Sequence, residues 1–240
     1  MLKTLWLGFR SVLFYIGYVG SLVVHATLSV LLGVFMPIMT RFRFFLLWNR
    51  FIMWWLKVTC GVKVRVQGME NYPGAPLVIL SNHQSTWETL YLIFHFMPVS
   101  AILKAELLNI PFFGWGLRML QPIAIDRSKK REAHSAVFSQ GRARLAAGIS
   151  VLIFPEGTRV DPGVLKKFSS GGAELALQAG VPLLPVAHNA GHHWPARRFL
   201  KYPGTIDLIV GKPLATEGRS AKELTQEAED WIRQAIKQDA

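Results

Sequence analysis

The run of apolar and polar positions divides the chain near residue 60. From Ser11 to Thr40, thirty residues pass without Asp, Glu, Lys or Arg. As a helix this stretch extends about 45 Å, against a bilayer hydrocarbon core of about 30 Å. One tilted span fits, and so does a bent or re-entrant helix with Gly17, Gly20 and Gly33 as weak points. It is too long for a secretory signal, and no small-residue cleavage site follows. Residues 41 to 57 differ in kind: Arg43, Arg50 and Lys57 recur every seventh position and share one side of a helix, while Phe44, Trp48, Phe51, Trp54 and Trp55 are among the residues filling the rest. That pattern predicts a helix lying in a membrane interface with aromatics at headgroup depth. Residues 1–59 are therefore expected to anchor the protein in a membrane, with 11–39 embedded and 41–57 interfacial.

Beyond residue 60 the periodicity changes. Val62, Val64 and Val66 alternate with polar residues, as in a half-exposed strand opening a globular domain over 60–240. Strand-like and helix-like segments then alternate: strand 76–81, helix 85–96, strand 100–103, helix near 105–119, strand 121–126 and helix 129–147. Strand 150–154, helix 170–179, strand 181–186, strand 205–210 and an amphipathic helix 220–238 follow. This alternation predicts an α/β fold, a mixed and largely parallel sheet covered by helices, preceded by an N-terminal membrane-embedded helical region.

Composition narrows the class of partner. Half of the residues are hydrophobic, and the formal net charge is +12. Before Glu70 there is no acidic residue, and eight basic ones lie among the most hydrophobic sequence; the remaining 19 basic and 15 acidic residues nearly balance. Basic charge beside apolar sequence points to anionic membrane lipid and away from nucleic acid. Basic flanks predict that this side is cytoplasmic. The single cysteine, Cys60, excludes an intrachain disulfide.

The chemistry centres on Ser81-Asn82-His83-Gln84-Ser85-Thr86-Trp87-Glu88, where the apolar run 76–80 ends. On one helix, positions five apart lie about 140° from each other, so His83 and Glu88 cannot pair inside a helix. Ser85 to Glu88 is, however, an S-x-x-E capping box, which starts the helix near Ser85, leaves His83 in the preceding loop and lets Glu88 reach back. A carboxylate on one imidazole nitrogen fixes the tautomer and frees the other nitrogen as a base. Two other readings stand beside this one: a loop histidine next to a capping carboxylate, and Ser85 as a nucleophile with His83 as its base. Two further strands end in arginine, Ile123–Arg127 and the stretch Phe154-Pro155-Glu156-Gly157-Thr158-Arg159. If these strands run parallel to 76–81, Arg127 and Arg159 sit beside His83, with guanidinium forks suited to phosphate. No Cys, His and carboxylate set has metal-ligand spacing, and no P-loop or dinucleotide fingerprint is present.

In order along residues 60 to 215, these segments resemble the glycerolipid acyltransferases, and within them the bacterial 1-acyl-glycerol-3-phosphate acyltransferases. His83 and Glu88 are similar to the family's His-x4-Asp motif, with Glu in place of the usual Asp. Ile125-Asp126-Arg127, Phe154–Arg159 and Val181–Val186 resemble its second, third and fourth blocks, and Lys104-Ala105-Glu106-Leu107 its Lys-x-Glu-Leu segment. Ala124 is smaller than the usual residue, and Phe168–Gly172 replaces a Lys-Gly pattern. The resemblance implies acyl transfer from acyl-CoA or acyl carrier protein to the sn-2 hydroxyl of lysophosphatidic acid, without metal or cofactor, at the cytoplasmic face of a bacterial inner membrane. It implies His83 as base and Glu88 as its partner. Arg159, Arg127 and Lys104 would hold the acceptor phosphate, and Glu156 and Gly157, with Thr158 in the same substrate-binding set, would shape the glycerol site. Another acceptor, a Ser85 hydrolase, and a non-catalytic lipid-binding protein are the alternatives.

Overall fold

A computed structural model describes residues 2–74, 76–126, 128–164 and 166–238. The chain opens with two helices, α1 (Leu2–Gly33) and α2 (Ile38–Cys60). It continues through β1 (Val62–Gln67), β2 (Val78–Ser81), α3 (Trp87–His95), β3 (Val99–Lys104), α4 (Phe113–Met119), β4 (Ile123–Ile125) and α5 (Lys130–Ala146). The last third holds β5 (Ser150–Ile153), α6 (Gly171–Ala179), β6 (Leu183–His188), β7 (Gly204–Val210) and α7 (Ala221–Gln238).

The strands form one seven-stranded sheet in the order β1-β7-β6-β2-β5-β3-β4. Every neighbouring pair is parallel except β6 with β7. The sheet is thus mixed and largely parallel, as the alternation of segments predicted. β2 lies at its centre, and Leu77 to Leu80 are fully buried, which is why this strand reads as a continuous apolar run. Its two faces belong to two cores. Leu77 and Ile79 pack with α2 and α3, whereas Val78 and Leu80 pack with residues of α6 and α7.

The first core crosses residue 60 without interruption, since Phe42, Phe45, Trp48, Ile52 and Leu56 of α2 are buried in the same cluster as Ile79, Leu92 and Ile206. Asn49 of α2 donates to the carbonyl oxygen of Leu90 at 2.7 Å. The opposite side of α2 exposes Leu47, Phe51, Trp54 and Val58 beside Arg43, Arg50 and Lys57. α2 therefore has an inward face as well as a basic-aromatic outer one. α1 runs unbroken through Gly17 and Gly20 and ends at Gly33. Gly17 serves packing: a Cβ there would lie 2.2 Å from the Trp55 indole nitrogen, which donates to the carbonyl oxygen of Phe14 at 3.2 Å. α1 is long and apolar enough to cross a membrane, with 17% of its most apolar window buried, so most of that apolar surface faces outward.

Two expected elements differ in detail. The helix near 105–119 is split into a 3-10 turn, Ala105–Asn109, and α4, because Pro111 has no N–H to continue it and Phe112 takes a positive φ of 60°. The strand expected over 181–186 runs instead from Leu183 to His188, which carries a histidine onto the sheet's working edge.

Candidate active site

Five parallel strands, β6, β2, β5, β3 and β4, end on one edge, where ligands of open α/β sheets bind. β2 delivers the loop Asn82–Thr86 there, and α3 starts at Trp87. Ser85 is buried, and its Oγ accepts the N–H of Trp87 at 3.0 Å, so this hydroxyl caps the helix. Glu88 turns back as a capping box requires. Its Oε1 accepts the backbone N–H of Ser85 at 2.8 Å and of Gln84 at 3.0 Å, and meets His83 Nδ1 at 2.8 Å. Burial alone would push this carboxyl up. The His83 hydrogen bond, the nearby His188 and the Ser85 N–H together outweigh it and hold Glu88 below the usual range. Glu88 is an anion, and with Nδ1 facing it the His83 proton sits on that nitrogen, leaving a lone pair on Nε2.

The segment after β5 holds the same loop from the neighbouring strand. Phe154 stacks under the His83 ring with centroids 4.1 Å apart. Glu156 Oε2 accepts the backbone N–H of His83 at 2.9 Å, and Val160 donates its N–H to the His83 carbonyl oxygen at 2.9 Å. Arg159 Nε donates to the Ser85 carbonyl oxygen at 2.6 Å. His83 is thereby fixed at its ring, its N–H and its carbonyl. Burial pushes the Glu156 carboxyl up to about 7, the His83 N–H opposing and the Glu88 charge reinforcing that rise. Gly157 takes φ +71°, where an L side chain is strained, and an added Cβ would meet nothing within 4 Å, so the backbone lies open to the cavity.

His83 lines a cavity of about 820 Å³. Near its polar wall are Gly157, Thr158, Arg159, Lys104 and Arg197; much of the remainder is apolar, with Leu90, Ile93, Leu103, Phe113, Leu117 and Val137 among the lining residues from α3, β3, α4 and α5.

Seven of the residues singled out in sequence, His83, Glu88, Lys104, Glu156, Gly157, Thr158 and Arg159, are either on this cavity or bonded to its histidine. Lys104 sits half exposed at the end of β3, 3.9 Å from Glu106. Glu156 turns its carboxylate toward the His83 backbone and is absent from the cavity wall. Arg127 lies outside the described residues; β4, which precedes it, is the third strand from β2, about 14 Å across the sheet. Among the described residues no group of three or more His, Cys, Asp and Glu could hold a metal ion.

Two residues escaped the sequence reading, Arg197 and His188. His188 closes β6 fully buried, its Nδ1 accepting the Ala190 N–H at 3.2 Å and its Nε2 lying 2.9 Å from the Asn82 carbonyl oxygen. Those contacts place the proton on Nε2, and burial holds the ring neutral. Nε2 is also 4.0 Å from Glu88 Oε2, a buried oxygen with no hydrogen bond among the described residues. Asn82 locks this pair, donating to the His188 carbonyl oxygen at 2.9 Å and accepting its N–H at 3.0 Å. A histidine ending a wholly apolar run was the available signal.

A histidine–carboxylate pair thus stands at the central strand's end, opening on a partly apolar cavity lined also by Lys104, Arg159 and Arg197. The chain belongs to the acyltransferase family, whose model matches residues 63–189. It is 48% identical over 231 residues to the 1-acyl-sn-glycerol-3-phosphate acyltransferase of Pseudomonas aeruginosa, covering 95% of this chain and 90% of that protein. With the mouse 1-acyl-sn-glycerol-3-phosphate acyltransferase alpha it shares 31% identity over 68% of this chain and 58% of the relative. The crystal structure of the 1-acyl-sn-glycerophosphate (LPA) acyltransferase from Thermotoga maritima has the same fold, with a TM-score of 0.83 at 24% identity over 99% of this chain and 97% of that one.

Proposed function

We propose that this protein acylates the sn-2 hydroxyl of 1-acyl-glycerol 3-phosphate, making phosphatidic acid from a thioester donor, acyl-CoA or acyl carrier protein. The observation that carries the reading is the His83 Nδ1–Glu88 contact of 2.8 Å on a ring that lines the same cavity as Arg159. The names of the Pseudomonas and mouse relatives support the acceptor.

In this reading the acceptor hydroxyl gives its proton to His83 Nε2 as its oxygen attacks the thioester carbonyl carbon. The tetrahedral intermediate expels the thiolate, which takes the proton back from His83 and leaves as the thiol. No acyl-enzyme forms, and Ser85, held in the helix cap, takes no part. Glu88 stabilises the imidazolium and holds its tautomer. Arg159, Arg127 and Lys104 bind the acceptor phosphate, Gly157 and Thr158 border the glycerol, and the apolar cavity takes an acyl chain. Glu156, which the family resemblance put at the glycerol, here supports the His83 backbone. Residues 1–59 anchor the domain of 60–240 in the membrane where acceptor and product reside. The outer face of α2, with three cations beside exposed Trp54 and Phe51, suits anionic headgroups at the cytoplasmic face of a bacterial inner membrane.

The test is an assay of the purified protein in lipid with labelled oleoyl-CoA and four acceptor conditions: lysophosphatidic acid, glycerol 3-phosphate, lysophosphatidylcholine and none. Phosphatidic acid is expected with lysophosphatidic acid alone, and His83→Ala should lower its rate by about 10²–10⁴-fold while leaving the fold intact. Near-normal turnover by that variant would refute the mechanism, and free fatty acid released without an acceptor would replace transfer with hydrolysis.

A further inference from the structure

Between β6 and β7 the chain crosses α1 as a strap, and both ends of its central part are nailed to that helix. At one end Trp194 is buried edge-on against Phe14, ring centroids 5.0 Å apart, and against Tyr18 at 6.1 Å. At the other end lies Lys201, a fully buried lysine. Its backbone N–H donates to Ser11 Oγ at 3.0 Å. Its ammonium donates to Tyr15 Oη at 2.9 Å and to the carbonyl oxygens of Arg198 at 3.1 Å and Phe199 at 2.8 Å. All three ammonium donors are used, none of them on a carboxylate. The nitrogen also lies 4.7 Å from the Tyr15 ring centroid. Lys201 is spent on shape: it curls residues 198–199 around itself and fastens them to α1.

What that fastening presents is Arg197. Its φ is +60°, a conformation costly for a residue with a side chain. The residue is exposed, and its guanidinium has no hydrogen bond or ion pair among the described residues. It lines the same cavity as His83, Thr158 and Arg159. A strained backbone, held at both ends, thus offers a guanidinium to a cavity already lined by Arg159.

We propose that Arg197 is a further guanidinium for the phosphomonoester of the lipid acceptor, added to the cations already assigned to it on the cavity that it shares with Arg159, and that the strap 194–201 exists to hold it there. The proposal rests on the acyl-transfer reading above and adds a residue beyond the segment 63–189 that the family model matches. The acceptor is favoured over the donor's phosphates by position. Arg197 approaches from the α1 side, where apolar residues such as Ile16 and Val19 face outward and a lipid substrate arrives from the bilayer. A phosphomonoester with about two negative charges at neutral pH suits an added guanidinium fork.

The deciding variant is Arg197→Gly. Glycine accepts φ +60° without strain, so this protein folds at least as well as the parent and its thermal midpoint rises. Two measurements are made on the full-length protein in mixed micelles. In steady-state kinetics the KM for lysophosphatidic acid is expected to rise about tenfold or more, as for loss of a charged hydrogen-bonding pair, while the KM for oleoyl-CoA stays within about twofold. In equilibrium titration of lysophosphatidic acid without donor, followed by tryptophan fluorescence, affinity should fall by a similar factor, and Arg197→Lys should restore part of it. An unchanged acceptor KM and affinity overturns the proposal. A rise confined to the oleoyl-CoA KM also overturns it and assigns Arg197 to the donor. Should the parent protein bind lysophosphatidic acid without acylating it, the transfer reading fails, and the titration still decides whether Arg197 grips the phosphate.

Discussion

Glu88 and Glu156 reach His83 from opposite sides, and their surroundings treat them oppositely. Both are buried carboxylates. Glu88 stands at the first turn of α3 with two backbone N–H groups and the His83 ring on a single oxygen, and is held ionised. Glu156 stands in the turn after β5 with one backbone N–H, and burial pushes it up to about 7. Burial is the larger influence on both, so the number of donors decides the charge. The pairing also separates partners: the anion faces the imidazole ring, and the more easily neutralised carboxyl faces a backbone group that needs only an acceptor.

The largest effect that breaks this contrast is removal of the anion. Glu88→Ala should lower kcat by about 10²–10⁴-fold, the range of a general base deprived of its orienting partner, seen in single-turnover acyl transfer. Glu156→Ala leaves the His83 N–H unsatisfied and should cost about 1–3 kcal/mol of stability, read from denaturant midpoints in detergent, with a smaller loss of rate. His188→Asn sharpens the contrast from the far side. Its side-chain oxygen can still take the Ala190 N–H while the Nε2–H beside Glu88 is lost, so a fall in kcat of about threefold to tenfold is expected for one weak neutral contact; an unaltered rate would show that Glu88 Oε2 needs no neighbour.

The smallest effect is a slope. Glu156 has a folded pKa above its unfolded one, so it contributes stability at low pH that is lost as pH rises from about 4.5 to about 7. Glu88, with a lowered folded pKa, has the opposite sign: its contribution is present above its unfolded value and is lost as pH falls through the lowered one. In Glu156→Gln the amide oxygen still accepts the His83 N–H. Turnover should change little, while the decline in stability between pH 4.5 and 7 should disappear from a denaturation series.

The capping box made the Glu88 geometry legible, because everything it needs lies within six residues. Arg159 was legible at one remove, since parallel pairing of β5 with β2 carries the end of one strand to the end of the other. Glu156 was placed at the glycerol by the family resemblance. Its actual partner is a backbone N–H 73 residues away, which no local pattern encodes. The inward face of α2 was hidden for another reason: with Leu47, Phe51 and Trp54 outside and Phe45, Trp48 and Ile52 inside, apolar residues cover both sides and periodicity carries no signal. His188 was missed because the strand was ended at Val186. Arg197 depends on a contact between Lys201 and Tyr15, 186 residues apart, and only the folded chain brings that pair together.

The sheet's outer pairing sets a schedule for manufacture. β1 is an edge strand whose only partner among the described residues is β7, from Val62 against Gly204 to Gln67 against Ile209. With about 140 residues of chain between them, a ribosome working at roughly 5–20 residues per second finishes β7 on the order of ten seconds after β1. Throughout that interval β1 is an unpaired strand tethered directly to Cys60 and the end of α2, its edge open to any other chain. The helices ahead of it are complete by then, so the newborn protein waits with its first strand joined to the apolar helix pair and its last strand not yet made. Chains halted before residue 204 should accumulate as protease-sensitive species that become resistant only when β7 is released.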